Sequence, residues 1–329
     1  MNEIRIGIIG YGNLGKSVEL GIQQNDDMKL IGVFTRRDPA TIKTVIEGVQ
    51  VFHIDDAENM TDRIDVMVLC GGSMSDLPVQ GPLFAGLFNT VDGYDTHAKV
   101  PDYFNAVNKN ALDAGKISII ASGWDPGLFS INRLYAEAIL PVGNTYTFWG
   151  KGISQGHSDA IRRVKGVKDA KQYTIPVENA VEAVKRGDMP DFTTGEMHKR
   201  ECFVVVEDGA DKKRIEHEIK MMPDYFSDYD TEVHFITEEE LKKNHSGMPH
   251  GGLVIHYGKT GLKKSHNHMI EYKLELDSNP DFTANVLIAF ARAAYRLNQE
   301  GVSGAKTVVD IAPAYLSTKS ADEIRKSII

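Results

Sequence analysis

Cysteine is nearly missing from the chain: Cys70 and Cys202 are the only two, far apart and in no Cys-x-x-Cys pair. That excludes a disulfide framework and a zinc knuckle and fits a reducing compartment, so the expected location is the cytoplasm. Long apolar runs are also lacking. Nothing approaches the roughly 18 residues of a membrane span, and the opening MNEIRIGIIGYG reaches a glycine turn too soon for a signal peptide, so no membrane partner is expected. Positive charge is in deficit, with 37 Lys and Arg against 46 Asp and Glu and a net charge of −9. Such a field repels phosphate polymers, and nucleic acid is not expected as a partner. Internal repeats, low-complexity tracts and long linkers do not occur. What remains is ordinary globular usage, 42% apolar and 25% charged, in 329 residues, enough for two lobes that each bury a core.

The short apolar run IRIGII (4–9) ends in Gly10, and Leu14, Val18 and Ile22 then recur at helical spacing, so a buried strand turns into a helix. Further strands are expected at 28–34, 51–54, 65–70, 89–92 and 117–122, with helices between most of them. This alternation argues an α/β fold built on a Rossmann-type, doubly wound parallel sheet. After about residue 123 the texture changes. TYTFWG (145–150), RECFVVVED (200–208), TEVHFIT (231–237), GLVIHYG (252–258) and HMIEYKLEL (268–276) predict a second, α+β lobe with an open antiparallel sheet. Residues 258–268 read as an exposed hairpin loop, and 281–298 as a helix whose trailing segment returns to the first lobe.

Gly10, Tyr11, Gly12, Asn13, Leu14 and Gly15 form a GxGxxG loop directly after an apolar strand and at a helix start. The first glycine permits the turn, the second lets the backbone approach a pyrophosphate, and the third allows close packing, while the helix N-terminus offers amide donors. About 20 residues on, where an NAD enzyme presents a carboxylate to the ribose, the chain reads Thr35-Arg36-Arg37. Two guanidinium groups suit a 2′-phosphate, so NADP is the expected cofactor. A solvated basic turn is the competing explanation, with Asp38 able to turn inward.

The fourth strand leads into Cys70, Gly71, Gly72 and Ser73 at the ligand edge of the sheet. The glycines let the backbone lie against the nicotinamide half of the cofactor; a nucleophilic Cys70 is the alternative, without a basic partner to activate it. Asp92 ends the fifth strand, and Trp124, Asp125 and Gly127 follow the sixth. Two carboxylates at one edge suit an ammonium group, to bind it or to take its proton. Asp125 as a turn residue before Pro126, Asp95 as a cap, and Lys99 as a rival base stay open. The histidines at 245, 250, 256, 266 and 268 have no metal-ligand spacing, so no metal is expected.

Taken together, GYGNLG, TRR, VDGYD, SGWDPG, FWGKGISQGHSDA, HKRECFVV, GMPHGG and NPDFTA resemble the meso-diaminopimelate dehydrogenases, across Arg5 to Pro313. The resemblance implies NADP-dependent oxidative deamination at the D-centre of meso-2,6-diaminopimelate to L-2-amino-6-oxopimelate and ammonia, a step of lysine biosynthesis. Motif by motif, it implies that Asp92, Trp124 and Asp125 surround the reacting centre, that Trp149, Gln155 and Gly156 line the pocket, and that Thr174, Arg200, His250 and Asn279 hold the distal L-centre. The proton acceptor stays open among Asp92, Asp125, Lys99 and a water. Residues 1–122, completed by about 281–329, are expected to form the dinucleotide-binding domain and 123–280 the substrate-binding and dimerisation domain, in a homodimer. Another NADP-linked reductase or D-amino acid dehydrogenase on this scaffold, and a non-catalytic NADP sensor, are the alternatives.

Overall fold

The computed structural model describes residues 3–329 and divides into two compact units. The first holds the described residues up to Ile131 together with Pro280–Ile329, and the second is Asn132–Asn279. In chain order, the first unit begins with β1 (Ile4–Ile9), α1 (Asn13–Ile22), β2 (Met28–Thr35), β3 (Val51–His53), β4 (Val66–Leu69), α2 (Leu77–Ala85), β5 (Asn89–Asp92), α3 (Val100–Asp113) and β6 (Ile117–Ile120). Helix α4 (Leu128–Ile139) runs across the boundary. The second unit continues with β7 (Gly143–Trp149), β8 (Gly152–Ile153), α5 (Gln155–Arg162), β9 (Val167–Pro176), α6 (Glu178–Arg186), α7 (Thr194–Met197) and β10 (His198–Val206). It ends with α8 (Lys212–Lys220), β11 (Asp230–Phe235), α9 (Glu238–Asn244), β12 (His250–Thr260) and β13 (His266–Leu276). The chain then returns through α10 (Asn279–Gln299), β14 (Gly304–Thr307) and α11 (Ala321–Ser327).

Seven parallel strands in the order β14-β6-β5-β4-β1-β2-β3 make the sheet of the first unit. Both faces are covered, which is why its strands read as unbroken apolar runs. Ile6, Ile8, Val66, Val68 and Ile119 pack with Leu287, Ile288 and Ala291 of α10, while Ile9, Met67, Leu69 and Ile120 face Phe84 and Val107 of α2 and α3. Each of these side chains larger than alanine contributes about 1.5–3 kcal/mol on burial. Strand order reverses between β1 and β4, so their carboxyl ends diverge into a crevice, the usual ligand position of open α/β sheets.

The second unit departs from the single antiparallel sheet that the sequence suggests. It holds a four-stranded sheet, β11-β10-β9-β8, and a three-stranded one, β13-β12-β7. Strands β10 and β11 are parallel because α8 carries the chain back to the same edge between them. β9 is an addition: Ala170, Gln172 and Thr174, which alternate along one face, are small or polar, and buried Tyr173 lies between the last two, so no apolar alternation announces it. The expected loop at 258–268 is also shorter. β12 and β13 stay paired out to Thr260 and His266.

Candidate functional site

In the first unit a cleft of about 350 Å³ lies beyond the ends of β1, β2 and β4. Gly10, Tyr11, Gly12, Thr35, Arg36, Arg37, Cys70 and Gly71 line it, together with Asp76 and Gln80. Asn13, Leu14 and Gly15 form the first turn of α1, whereas Gly72 and Ser73 lie outside the lining. The three glycines behave differently. Gly10 has φ +89°, a Cβ on Gly15 would lie 2.2 Å from the Gly10 carbonyl oxygen, and a Cβ on Gly12 would meet nothing within 4 Å, so that backbone is open to a ligand.

The two arginines are anchored at their own ends of the cleft. Arg37 donates from Nη2 to the Tyr11 carbonyl at 2.9 Å, and its amide donates to Thr35 Oγ1 at 3.2 Å. Arg36, largely exposed, pairs with Asp76 at 2.7 Å, and the other Asp76 oxygen accepts from the Gly72 amide at 2.9 Å. Exposed Asp38 caps a short 3-10 turn, accepting from the Ala40 amide at 3.0 Å. Burial pushes the Cys70 thiol well above its ordinary pKa, so it is not a thiolate.

Asp92 ends β5, only 1% exposed. Its Oδ2 accepts from the Tyr103 hydroxyl at 2.7 Å, and Oδ1 accepts from the amides of Tyr94 at 3.0 Å and Ala121 at 3.3 Å. Burial lifts its pKa to about 6 against those three bonds. The Asp92 carbonyl accepts from the Ser122 amide at 2.9 Å, tying β5 to the loop after β6. That loop carries Asp125, half-buried, and Trp124, buried edge-on against Phe129 with ring centres 5.3 Å apart. Asp95 is exposed, and its amide donates to Ser73 Oγ at 3.1 Å, linking the loops after β5 and β4. Lys99 is exposed beside the start of α3.

In the second unit Thr174 of β9 lies directly opposite Arg200 of β10 and opposite Gly152 of β8. Arg200 is 7% exposed, donates to the Thr174 hydroxyl and stacks its guanidinium 3.9 Å above the Tyr229 ring. No carboxylate among the described residues pairs with it, and its Nε is buried without an acceptor. Burial lowers the Arg200 pKa, a cost that an anionic ligand would relieve. A Cβ on Gly152 would strike the His250 ring at 2.4 Å, so a glycine there lets His250 lie against β8, the strand that pairs with β9 at Thr174. His250 Nδ1 accepts from the Gly251 amide at 2.8 Å. Asn279 is held to this segment by its amide, which donates to the Met248 carbonyl at 2.9 Å.

Trp149 donates from its amide to His198 Nε2 at 2.8 Å, and the two rings stack at 5.2 Å. Gln155 and Gly156 open α5, both exposed, behind the cap Ser154, whose hydroxyl meets His157 Nδ1 at 2.6 Å. Burial, and then the charge of Arg200, lowers both His157 and His198 to about 4, so both are neutral at pH 7. His157, His198 and Tyr229 are the residues that motif reading left without a role. The signal for the two histidines was at hand in GHSDA and in the position of His198 two residues before Arg200. Among the described residues one group has ligand atoms close enough for a metal, Glu201, Glu232 and His234 on β10 and β11, with Lys151 3.7 Å from Glu201. His245, His256 and His268 are engaged by Tyr173, Thr145 with the Leu140 carbonyl, and Thr260.

Comparison with known proteins matches residues 123–278 to the family described as "Diaminopimelic acid dehydrogenase C-terminal domain" and residues 1–74 to "CoA binding domain". The meso-diaminopimelate D-dehydrogenase of Acetivibrio thermocellus is 66% identical over 329 residues, covering 100% of this chain and 98% of its own. The solved diaminopimelate dehydrogenase of Corynebacterium glutamicum in complex with diaminopimelate is 49% identical, covers 100% of both chains and superposes with a TM-score of 0.92. An engineered D-amino acid dehydrogenase bound to NADP+ is 47% identical, again over 100% of both chains, with a TM-score of 0.88.

Proposed function

Because the chain belongs to the meso-diaminopimelate D-dehydrogenase family, we propose that it oxidises the D-configured carbon of meso-2,6-diaminopimelate with NADP, giving L-2-amino-6-oxopimelate and ammonia. The observation that carries this reading is Arg200: a buried cation that pairs with no carboxylate among the described residues, hydrogen-bonded to Thr174 and close to two neutral histidines. Such a group is costly until an anion meets it, and the distal carboxylate of a dicarboxylic amino acid is such an anion. Thr174, His250 and Asn279 share in holding the L-centre, and Trp149, Gln155 and Gly156 complete the pocket wall.

NADP, when bound, supplies the acceptor for the hydride. Gly10, Gly12 and the start of α1 hold its pyrophosphate, Arg36 and Arg37 its 2′-phosphate, and Gly71 and Gly72 the nicotinamide half. The carbon can release hydride only when its nitrogen is a free amine, so a base must first take a proton from the ammonium. Asp125 fills that part, beside Trp124. Asp92, with both oxygens already engaged by Tyr103, Tyr94 and Ala121, supports the same end of the site and supplies negative charge toward the ammonium. Water adds to the resulting iminium and ammonia leaves.

The direct test measures NADPH formation and ammonia release on adding meso-diaminopimelate. The L,L isomer, which has no D-centre, should be inert. Equal turnover of both isomers, or none of either, would remove the reading. We also infer a homodimer, supported by a stretch of exposed apolar side chains, Leu134, Tyr135 and Ile139 on α4 with Val142 after it. Sedimentation equilibrium giving a monomer at micromolar concentration would sink that inference. No helix is long and apolar enough to cross a membrane. Two free cysteines, one of them fully buried, support a cytoplasmic location.

A further inference from the structure

Glu19 is a carboxylate on the buried side of α1 with no accessible surface, and none of the chemistry above uses it. All its partners are donors. Oε2 accepts from the Tyr11 hydroxyl and from the Val45 amide at 3.2 Å, and Oε1 accepts from the Ile46 amide at 2.9 Å. The Tyr11 hydroxyl in turn accepts from the Val45 amide at 2.8 Å. Val45 and Ile46 belong to the segment between β2 and β3, which begins with Arg36 and Arg37 and has no regular structure beyond one 3-10 turn at Pro39–Thr41. Tyr11 is the residue between the first two glycines of the nucleotide loop, and its carbonyl receives Arg37. The segment is thus clasped to the glycine loop twice, by Arg37 at its start and by Glu19 with Tyr11 farther along.

We propose that Glu19 is a positioning residue for cofactor recognition, setting the segment that presents Arg36 and Arg37 to the 2′-phosphate of NADP. This rests on the reading that the cleft takes NADP. A segment without helix or strand to hold it loses much entropy on ordering, and if that ordering had to accompany binding it would be subtracted from the affinity. Glu19 orders it beforehand. The residue type follows from the partners: three donors converge on it, so an acceptor-only group satisfies all of them, while the amide of a glutamine would set its own N–H₂ against at least one. Tyr11, raised to about 12 by its burial and by Glu19, stays a hydroxyl and keeps donating throughout the working pH range.

The test is Glu19→Gln in the full-length protein, assayed with meso-diaminopimelate and either cofactor. KM for NADP should rise about tenfold with kcat at saturating NADP within twofold of wild type, KM for meso-diaminopimelate unchanged, and NAD affected much less. Hydrogen exchange without any cofactor should show the Val45 and Ile46 amides losing protection. An unchanged KM for NADP, or a fall in kcat at constant KM, overturns the proposal, as does unaltered protection of those amides. Failure of the wild-type control to turn over meso-diaminopimelate with NADP would instead strike the functional reading, and the exchange measurement still decides the clasp. Should Glu19→Gln not fold, Tyr11→Phe removes the hydroxyl that joins carboxylate and segment while keeping the ring. It should raise KM for NADP in the same direction, and an unchanged KM there is equally decisive against the proposal.

Discussion

Arg36 and Arg37 are neighbours with different duties: one already faces a carboxylate, Asp76, and the other a backbone carbonyl. A 2′-phosphate offers both a stronger, charge-assisted partner. Replacing both by alanine should therefore weaken NADP about a hundredfold and leave NAD nearly untouched, as read by fluorescence titration of the reduced cofactors. Equal losses would mean that the arginines only shape the loop. For the reacting end, Asp125→Asn should lower kcat by roughly 10² to 10⁴ without moving cofactor affinity, the range of a lost general base. Wild-type turnover in that variant would shift the proton to Lys99 or water. At this scale the glycine loop and the arginines were legible because their chemistry is tied to a strand end. Glu19 was not, because its partners lie on a loop whose path no local pattern describes, and Tyr103 was not, because it reaches Asp92 from the next helix.

Strand pairing decides what Arg200 can do. Between β9 and β11, opposite Thr174 and over Tyr229, the guanidinium has packing but no counter-ion among the described residues, so a substrate lacking a distal carboxylate leaves it unsatisfied. Arg200→Met should cut kcat/KM for meso-diaminopimelate by at least about a hundredfold and raise it for D-amino acids with apolar side chains such as D-leucine. A constant ratio of the two specificity constants would place Arg200 outside substrate recognition. The histidines near Arg200, one on α5 and one on β10, carry an acid lability. His157 and His198, ordinarily near 6.5, are held to about 4 by burial and by Arg200, so the unfolded chain binds protons that the folded one refuses. Their contribution is complete above pH 6.5 and is lost as pH falls toward 4, up to about 3 kcal/mol for each. Asp92 has the opposite sign: raised to about 6, it favours the folded state below pH 4 and that advantage disappears as pH rises through 6. Melts of wild type and of His198→Gln between pH 7 and 4.5 should show the variant losing less stability on acidification; parallel losses would refute the assignment. Motif reading found β10 through its valines but not β9, where Thr174, the partner of Arg200, and Gln172 beside it break any apolar alternation.

Across the whole molecule, the first unit is closed by residues far along the chain. β14 completes the seven-stranded sheet beside β6, α10 covers one face, and Ser17 donates to Asp281 at 2.5 Å. Arg292 of α10, 3% exposed, grips Asp27 with two bonds of 2.6 and 2.8 Å and spends its other donors on Asn25 and the Leu316 carbonyl. Asp27 is accordingly held below the ordinary carboxylate range, chiefly by Arg292. Arg292→Met should cost about 3 kcal/mol, measured by urea unfolding, because it leaves that carboxylate largely enclosed without its cation. A change under 0.5 kcal/mol would contradict the ledger of bonds just given. That the tail returns to the first lobe was legible from a strong helical period; which strand it joins was not, since GAKT has no apolar alternation. This connectivity also bears on how the protein is born. Residues 132–279 are contiguous and can gather as soon as they leave the ribosome, whereas the nucleotide-binding half, begun first, must wait with an open sheet edge until β14 emerges, roughly ten to forty seconds later at 5–20 residues per second. The part translated first is therefore finished last, and nascent chains arrested before Gly304 should be retained by chaperones and unable to capture the dinucleotide.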